Sequence, residues 1–449
     1  MASTAASKHL DLLGQLLDRA KRSGAETADA LVFQSESLAF RQRLGKPEML
    51  ERSESQDLGL RVLIGKRQAI VSSTDLSERA LSALVERAVA MARAAPEDKY
   101  CGVADSAEIA RTFPDLDLAD PDEPEPQALI DRAAAAEAAA LLVPGVTNSE
   151  GAESGWSRTS VALAATNGFA AGYVRTGNGI SVSVLAGQGT AMETDYDQSS
   201  AVFARDLEDA ALVGRRAGEK AVKRLNPRKA ETASVAVVFD PRIANSILGH
   251  LGGAISGPAI ARGTSFLKDK LGQRLFASGI HIVDDPLRPR GLRSRPFDGE
   301  GIGGRRQKLV DDGVLTTWVL DLASARQLGL RTTGHAARGT SGPPGPSCTN
   351  LYLEPGPLTP EALMADIKQG FYVTGLMGFG VNNVTGDYSR GANGFWIENG
   401  EQSYPVSEVT IAGNLTEMFR NLTPASDLVF RYGANAPTLR IDGMTVAGR

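Results

Sequence analysis

The sequence predicts an α+β protein, with α/β N-terminal domains followed by a large, mostly antiparallel, β-rich C-terminal domain. Three observations carry that class. Over the first half, stretches with apolar residues at helical spacing alternate with stretches of period two. Beyond about residue 230, helical stripes become scarce and short apolar runs are cut by Gly and Pro. The composition agrees, because 48 glycines in 449 residues with only 6% aromatics describe many turns and close backbone approaches.

Taken in order, residues 8–23 place Leu13, Leu16, Leu17 and Ala20 on one stripe, with Lys21 and Arg22 in the last turn and Gly24 as the stop, which predicts a helix. Segments 28–43, 48–52 and 58–73 shift to period two, with Gly65-Lys66 as a hairpin break. Asp75 with Glu78 resembles a capping box, and Leu81, Leu84, Val85 and Ala88 stripe a helix to about Ala94. These elements form an expected domain 1–113. From Pro114 to Pro126 six acidic residues and four prolines predict a self-repelling linker, 114–126. The Ala-rich stretch 127–142 predicts a helix, segments near 157–166, 180–187 and 199–205 alternate like strands, and a helix follows at about 206–224. That second α/β domain, 127–229, closes at Asn226-Pro227. In the C-terminal domain, 230–449, Asp312-Gly313 joins 305–310 to 315–320 and Asn399-Gly400 joins 395–398 to 401–404 as hairpins. Helical spacing recurs at about 241–255, 321–328 and 359–369.

Composition excludes several classes. Forty-eight Lys and Arg against 53 Asp and Glu give a net charge of −5, so the chain is neither a basic polyanion binder nor an acidic disordered one. Cys101 and Cys348 stand far apart, without a C-x-x-C motif, which suits a reducing cytoplasm. The first residues lack the basic start and apolar run of a signal peptide, and no stretch of 18 apolar residues occurs. The expected setting is therefore cytoplasmic and off the membrane.

The motif search is largely negative. Gly299-Glu-Gly-Ile-Gly-Gly304 matches G-x-G-x-x-G in letters, but it follows Arg-Pro-Phe-Asp and leads into Arg305-Arg306. A dinucleotide fingerprint needs a strand before it and a helix N-terminus after it, so a loop is predicted. No phosphate loop and no nucleophile elbow occurs. The four histidines are His9, His250, His281 and His335, with no H-E-x-x-H among them, although His250, His335 and Cys348 could assemble a site at a distance. Arg288, Arg290, Arg293, Arg295, Arg305, Arg306 and Lys308 form the one cationic stretch, read as a solvated edge in preference to a phosphate-binding patch. The densest run of unusual residues is 375–400, where Gly386, Asp387, Tyr388, Ser389, Arg390 and Gly391 bring four hydrogen-bonding side chains to one turn.

The C-terminal domain resembles that of the TldD/TldE (PmbA) family, sometimes named modulators of DNA gyrase. The resemblance rests on Leu248-Gly-His-Leu-Gly-Gly-Ala-Ile-Ser-Gly257, Arg295-Pro-Phe-Asp-Gly-Glu-Gly301, Ser324-Ala-Arg-Gln-Leu-Gly329, Thr333-Gly-His335, Thr385-Gly-Asp-Tyr-Ser-Arg-Gly391, Gly394-Phe-Trp-Ile-Glu-Asn-Gly400 and Tyr404-Pro-Val-Ser-Glu-Val-Thr-Ile-Ala-Gly-Asn-Leu415. In this family the TldD subunit resembles a zinc peptidase with His-Glu-x-x-x-His on a helix and a late cysteine ligand. Laid on this chain, that motif falls on Asn245, Ser246 and His250, and no cysteine follows Cys348. Neither Asn245 nor Ser246 suits zinc, and Ser246 cannot replace a glutamate base. The departure resembles the TldE/PmbA branch.

The resemblance therefore implies a non-catalytic subunit, with no metal or cofactor of its own, in a heterodimeric metallopeptidase that processes unfolded or small peptides. Its implied partners are a TldD-like subunit holding the zinc and extended peptides bound through their backbone. A homodimer is the alternative in that partner's absence, and nucleic acid is not expected. Gly386, Asp387, Tyr388, Ser389 and Arg390 are the candidate substrate-binding residues. Two other readings stay open: a non-proteolytic protein acting on DNA gyrase or a toxin–antitoxin pair, and a self-sufficient metallopeptidase with an atypical site.

Overall fold

The computed structural model describes residues 4–448. Helix α1 (Thr4–Arg22) leads into strands β1 (Thr27–Arg43), β2 (Lys46–Ile64) and β3 (Arg67–Ser73), then helix α2 (Glu78–Ala94). After the acidic segment come α3 (Pro126–Leu141), β4 (Val146–Ala165), β5 (Ala170–Ala186), β6 (Glu193–Ala201) and α4 (Ala210–Lys223). All six strands join one sheet, ordered β3-β2-β1-β4-β5-β6 and antiparallel throughout. Short connections enforce this: Leu44 and Gly45, both at positive φ, turn β1 directly into β2, and so tight a link can only join antiparallel neighbours. The helix–strand units on either side of the acidic stretch therefore share a sheet through the β1–β4 pairing.

Alternation along β1 sorts the cores. Ala28, Ala30 and Val32 pack with Leu58, Leu60 and Val62 of β2 against α1 and α2, while Leu38 and Phe40 pack with Trp156, Ile180 and Val182 against α3 and α4. One face thus carries four helices in two cores. Gly214 lets α4 press so closely on α3 that a methyl there would strike the Ala136 carbonyl. The intervening residue Leu31 points the other way and joins Val161 and Leu163 against Phe297, Ile302 and Leu322 of the C-terminal region.

The acidic stretch 114–126 is strapped to the body. Leu116 and Leu118, alternating with Asp115 and Asp117, are buried, and their carbonyls accept from Arg290 N (2.8 Å) and Thr176 N (2.9 Å). Arg290 reaches Asp117 at 2.6 Å, and the Asp120 carboxylate accepts from Ala204 N at 2.8 Å. Charge repulsion predicts an extended chain here. The apolar alternation and these partners give that extended chain a seat.

The C-terminal region contains, in order, β7 (Ala233–Phe239), α5 (Pro241–Ala254), α6 (Gly257–Ala261), β8 (Ile282–Asp284), β9 (Gln307–Asp311), β10 (Val314–Leu315), α7 (Leu322–Leu328), β11 (Ala336–Ala337), β12 (Gly345–Pro346), β13 (Leu351–Leu353), α8 (Pro360–Met364), β14 (Gln369–Val381), β15 (Asp387–Glu398), β16 (Glu401–Asn414), α9 (Leu415–Arg420), β17 (Leu422–Pro424), β18 (Ala434–Asn435) and β19 (Leu439–Ala447). Sheet order β16-β15-β14-β7-β19-β17 is closed by a β16–β19 pairing into a barrel of five strands, with the short β17 left on the outer side of β19. β7 and β14 run parallel, and the other barrel pairs are antiparallel. A second sheet has order β10-β9-β8-β13-β18. Both predicted hairpin turns form, with Asp312-Gly313 and Asn399-Gly400 at positive φ throughout. The strand expected over 315–320 stops at Leu315, because Val319 exchanges backbone hydrogen bonds with Ile255 and Gly257 instead. Gly299–Gly304 runs into β9, not into a helix. Among the described residues no helix is long and apolar enough to cross a membrane.

Candidate functional site

Asp240 and Pro241 start α5. The Asp240 carboxylate accepts from Arg242 N, and Pro241 occupies the first turn, where its missing N–H costs nothing. Ala244, Ile247, Leu248, Leu251 and Ala254 bury one stripe, and α5 packs on β13, β14 and β18, so it bridges the barrel and the second sheet. Off that stripe lie Asn245, Ser246 and His250.

Each of the three is accounted for differently. Asn245 Nδ2 donates to the Ala434 carbonyl at 3.4 Å, and Ser246 Oγ donates to the Ile243 carbonyl at 2.6 Å. His250 lies edge-on to the Tyr388 ring, with centroids 5.8 Å apart at 79°. Its Nε2 and the Tyr388 hydroxyl are buried without a hydrogen-bond partner among the described residues. Burial, with the Arg390 charge adding to it, holds the imidazole below its ordinary pKa of 6.5, so His250 is neutral at pH 7. The Tyr388 phenol is pushed up by the same burial.

The structure therefore joins two motifs that the sequence keeps apart by more than a hundred residues, but it also splits the second one. Residues 387–390 open β15 and are not all on one turn face. Strand alternation turns Tyr388 into the core, leaves Asp387 and Ser389 exposed and Arg390 half-buried. Asp387 accepts from Thr385 Oγ1 (2.6 Å) and Asn414 Nδ2 (3.2 Å), which together hold its carboxyl below the usual range. Gly386, at positive φ, makes the turn. Arg390 Nε donates to the Met377 carbonyl at 3.2 Å beside the Phe379 ring. Phe379 is 98% exposed, and Met377 and Val384 are exposed with it, an apolar rim around the polar turn.

These residues do not fit a zinc ion. One imidazole is present, the amide and hydroxyl beside it are committed to main-chain carbonyls, and the nearest thiol is unsuitable. Cys348 lies against α5 at Gly252, but burial and the Asp284 charge push its thiol up, away from the thiolate that binds metal. His335, buried elsewhere, is held by Thr333 (2.9 Å) and Asp284 (3.1 Å). The conceived grouping of His250, His335 and Cys348 thus does not assemble, and among the described residues no three His, Cys, Asp or Glu side chains converge as a metal site.

The cationic stretch 288–308 is dispersed. Arg290 pairs with Asp117 and Asp206, Arg306 with Glu354, and Lys308 with Asp311, while Arg288 lies over the Phe430 ring. Arg295 is half-buried, with its Nε and Nη2 withdrawn from the surface. Two features escape the sequence. A cleft of about 930 Å³ lies where the strap passes the sheet, lined by Gln34, Glu36, Arg158, Ser160 and Tyr173. Beside it sits a buried charge cluster of Asp29, Arg61, Glu300 and Arg338. The only signal for the latter is the placement of Arg295, Asp298 and Glu300 in one short motif.

Comparison with known proteins accounts for most of the chain. Family models for the PmbA/TldA metallopeptidase match in three parts: domain 1 over residues 28–92, the central domain over 119–225 and the C-terminal domain over 232–448. The metalloprotease PmbA of Escherichia coli O157:H7 is 37% identical over 431 residues, covering 96% of this chain and 93% of that protein. A metalloprotease PmbA homolog of Haemophilus influenzae is 36% identical over 438 residues, covering 96% and 94%. A Bacteroides thetaiotaomicron crystal structure described as a modulator of DNA gyrase superposes with a TM-score of 0.91 at 26% identity over 100% of both chains. TldE from Thermococcus kodakarensis shares the fold, with a TM-score of 0.87 at 20% identity over 97% of this chain and 100% of that one.

Proposed function

This chain belongs to the PmbA/TldD metallopeptidase family, and we propose that within it the chain is a subunit without its own zinc set, acting beside a zinc-bearing TldD-like subunit on extended peptides. The observation that carries this reading is the solitary His250, with Asn245 and Ser246 tied to main-chain carbonyls and Tyr388 packed where further ligands would have to enter. The rim of Met377, Phe379 and Val384 around Asp387, Ser389 and Arg390 supplies both an apolar surface for a partner and polar groups for a peptide backbone. Both cysteines are free, which suits work in a reducing cytoplasm.

The alternative drawn from the gyrase-modulator description has one sequence feature behind it, the cations of 288–308. Their pairing within the chain favours the peptide reading. Co-expression with a TldD-like protein, followed by size exclusion, elemental analysis and peptidase assay, tests the proposal. We expect one zinc per heterodimer, none on this chain alone, and hydrolysis only by the pair. About one tightly held zinc per chain in the isolated protein, or peptide hydrolysis without the partner, would overturn it.

A further inference from the structure

We propose that Arg295 and Arg338 form a buried oxyanion subsite, built to take a carboxylate or phosphate-sized group, at the joint between the N-terminal sheet and the C-terminal region. Both arginines line one cavity of about 100 Å³, whose other walls include Leu31, Phe33, Val161, Tyr173, Phe297 and Asp298. The Arg338 side chain is only 1% exposed. In both arginines Nε and Nη2 are buried with no hydrogen-bond partner among the described residues. Those two nitrogens make up the side-on edge of a guanidinium, the edge that grips an oxyanion with two parallel hydrogen bonds. Two such edges, on residues that line the same cavity, leave four donors unused.

The nearby carboxylates are already engaged. Asp29 is shared between Arg61, whose Nε donates to it at 2.8 Å, and Arg338, whose Nη1 contacts its other oxygen. Asp298 accepts from the backbone N–H groups of Glu300 (2.9 Å), Ile302 (2.9 Å) and Ala336 (3.0 Å). Glu300, which accepts from Leu322 N at 2.8 Å, has its carboxyl pushed up to about 8 by burial and by Asp298, so it holds a proton at neutral pH. Three guanidiniums, of Arg61, Arg295 and Arg338, stand against no more than two charged carboxylates, Asp29 and Asp298, beside a neutral Glu300, which leaves the cluster short of negative charge.

The character of the walls selects the guest. An oxyanion accepts hydrogen bonds without donating any, which matches a surplus of unused guanidinium donors, while the apolar walls leave room for only a small group. Tyr173, which burial keeps protonated, lines both this cavity and the 930 Å³ cleft, so an anionic group can extend from the cleft into the subsite. Two sources carry the same chemistry, a free anion such as phosphate and the carboxylate end of a peptide.

Isothermal titration of the whole chain with inorganic phosphate, with acetate, and with N-acetyl-trialanine as free acid and as amide tests the site, without any peptidase assay. Arg295→Gln is the variant of choice, since among the described residues Arg295 makes no close ion pair and acts on Asp298 only at longer range. We expect at least one of the anions to bind, the affinity to fall tenfold or more in Arg295→Gln, and the unliganded melting temperature to stay the same. Preference for the free acid over the amide assigns the site to a chain end, and equal binding of the two peptides beside tighter phosphate assigns it to a free anion. Absence of binding by all the anions, or unchanged affinity in Arg295→Gln, would overturn the proposal and leave the subunit reading untouched.

Discussion

Two groups of partly buried arginines sit at joints of this molecule, and they are built in opposite ways. At the β6 edge, Asp197 is contacted by Arg216 and Lys220, Glu208 takes Arg216 through two nitrogens (2.8 and 2.9 Å), Glu193 takes Arg224, and Asp195 takes Arg242 of α5 at 2.7 Å. None of these charged atoms is left buried without a partner. At the other joint, Arg295 and Arg338 keep their bidentate edges unused. The difference teaches how to tell a weld from a receptor: a desolvated charge network whose donors and acceptors all match has nothing to offer a ligand, and one with a surplus of donors does.

Breaking the weld should have the largest effect. Arg242→Ala leaves Asp195 desolvated, with Arg224 at 3.7 Å as its remaining cation, and should cost about 3–5 kcal/mol in urea unfolding. A cost comparable with that of a surface substitution would mean that the network is ornamental. Next, Tyr388→Ala should remove about 3 kcal/mol by opening a cavity against His250, whereas Tyr388→Phe, which deletes a hydroxyl with no partner among the described residues, should change stability by less than about 1 kcal/mol. A large loss in Tyr388→Phe would reveal a hydrogen bond the packing does not supply.

A pH measurement sharpens the comparison further. The Glu300 carboxyl is raised from 4.5 to about 8 in the fold. Its contribution to stability is therefore complete below about pH 4.5 and is lost as the pH climbs through about 8, because the unfolded chain releases the proton first. Glu300→Gln should flatten the decline of melting temperature over that window. Identical slopes in both proteins would place a charged Glu300 in the cluster and remove the charge deficit argued for it. The smallest effect on folding belongs to Asp387→Ala, which should leave the melting temperature unchanged while lowering peptide turnover by the two-subunit complex. A lowered melting temperature with normal turnover per folded complex would assign Asp387 to the turn alone.

Much of this architecture is legible in the sequence, for reasons visible in particular residues. The stripe of Leu13, Leu16, Leu17 and Ala20, and the Asn399-Gly400 and Asp312-Gly313 turns, declare themselves because their spacing or their backbone conformation has few other uses. The site is legible only in part. Asp387 to Arg390 look like one polar cluster in one dimension, and the pleat of β15 sends Tyr388 inward to His250. Arg295 reads as one more surface cation, since nothing local says that Phe297 beside it will pack under Phe169 and draw the whole segment into the joint. Long-range pairing decides those positions, and it leaves no periodic trace.

Barrel closure has a consequence for how the protein is made. β7 pairs with β19, which joins Phe239 to Leu439, so one stave waits on the ribosome for another about 200 residues later. The N-terminal sheet, whose strands are all synthesised by Ala201, can be complete while β7 is still unmatched. During that interval Val237, Val238 and Phe239, fully buried in the finished protein, have no partner strand on one side. Translation speed across residues 240–439 and chaperone capture of nascent chains should therefore control yield more strongly than any single surface contact.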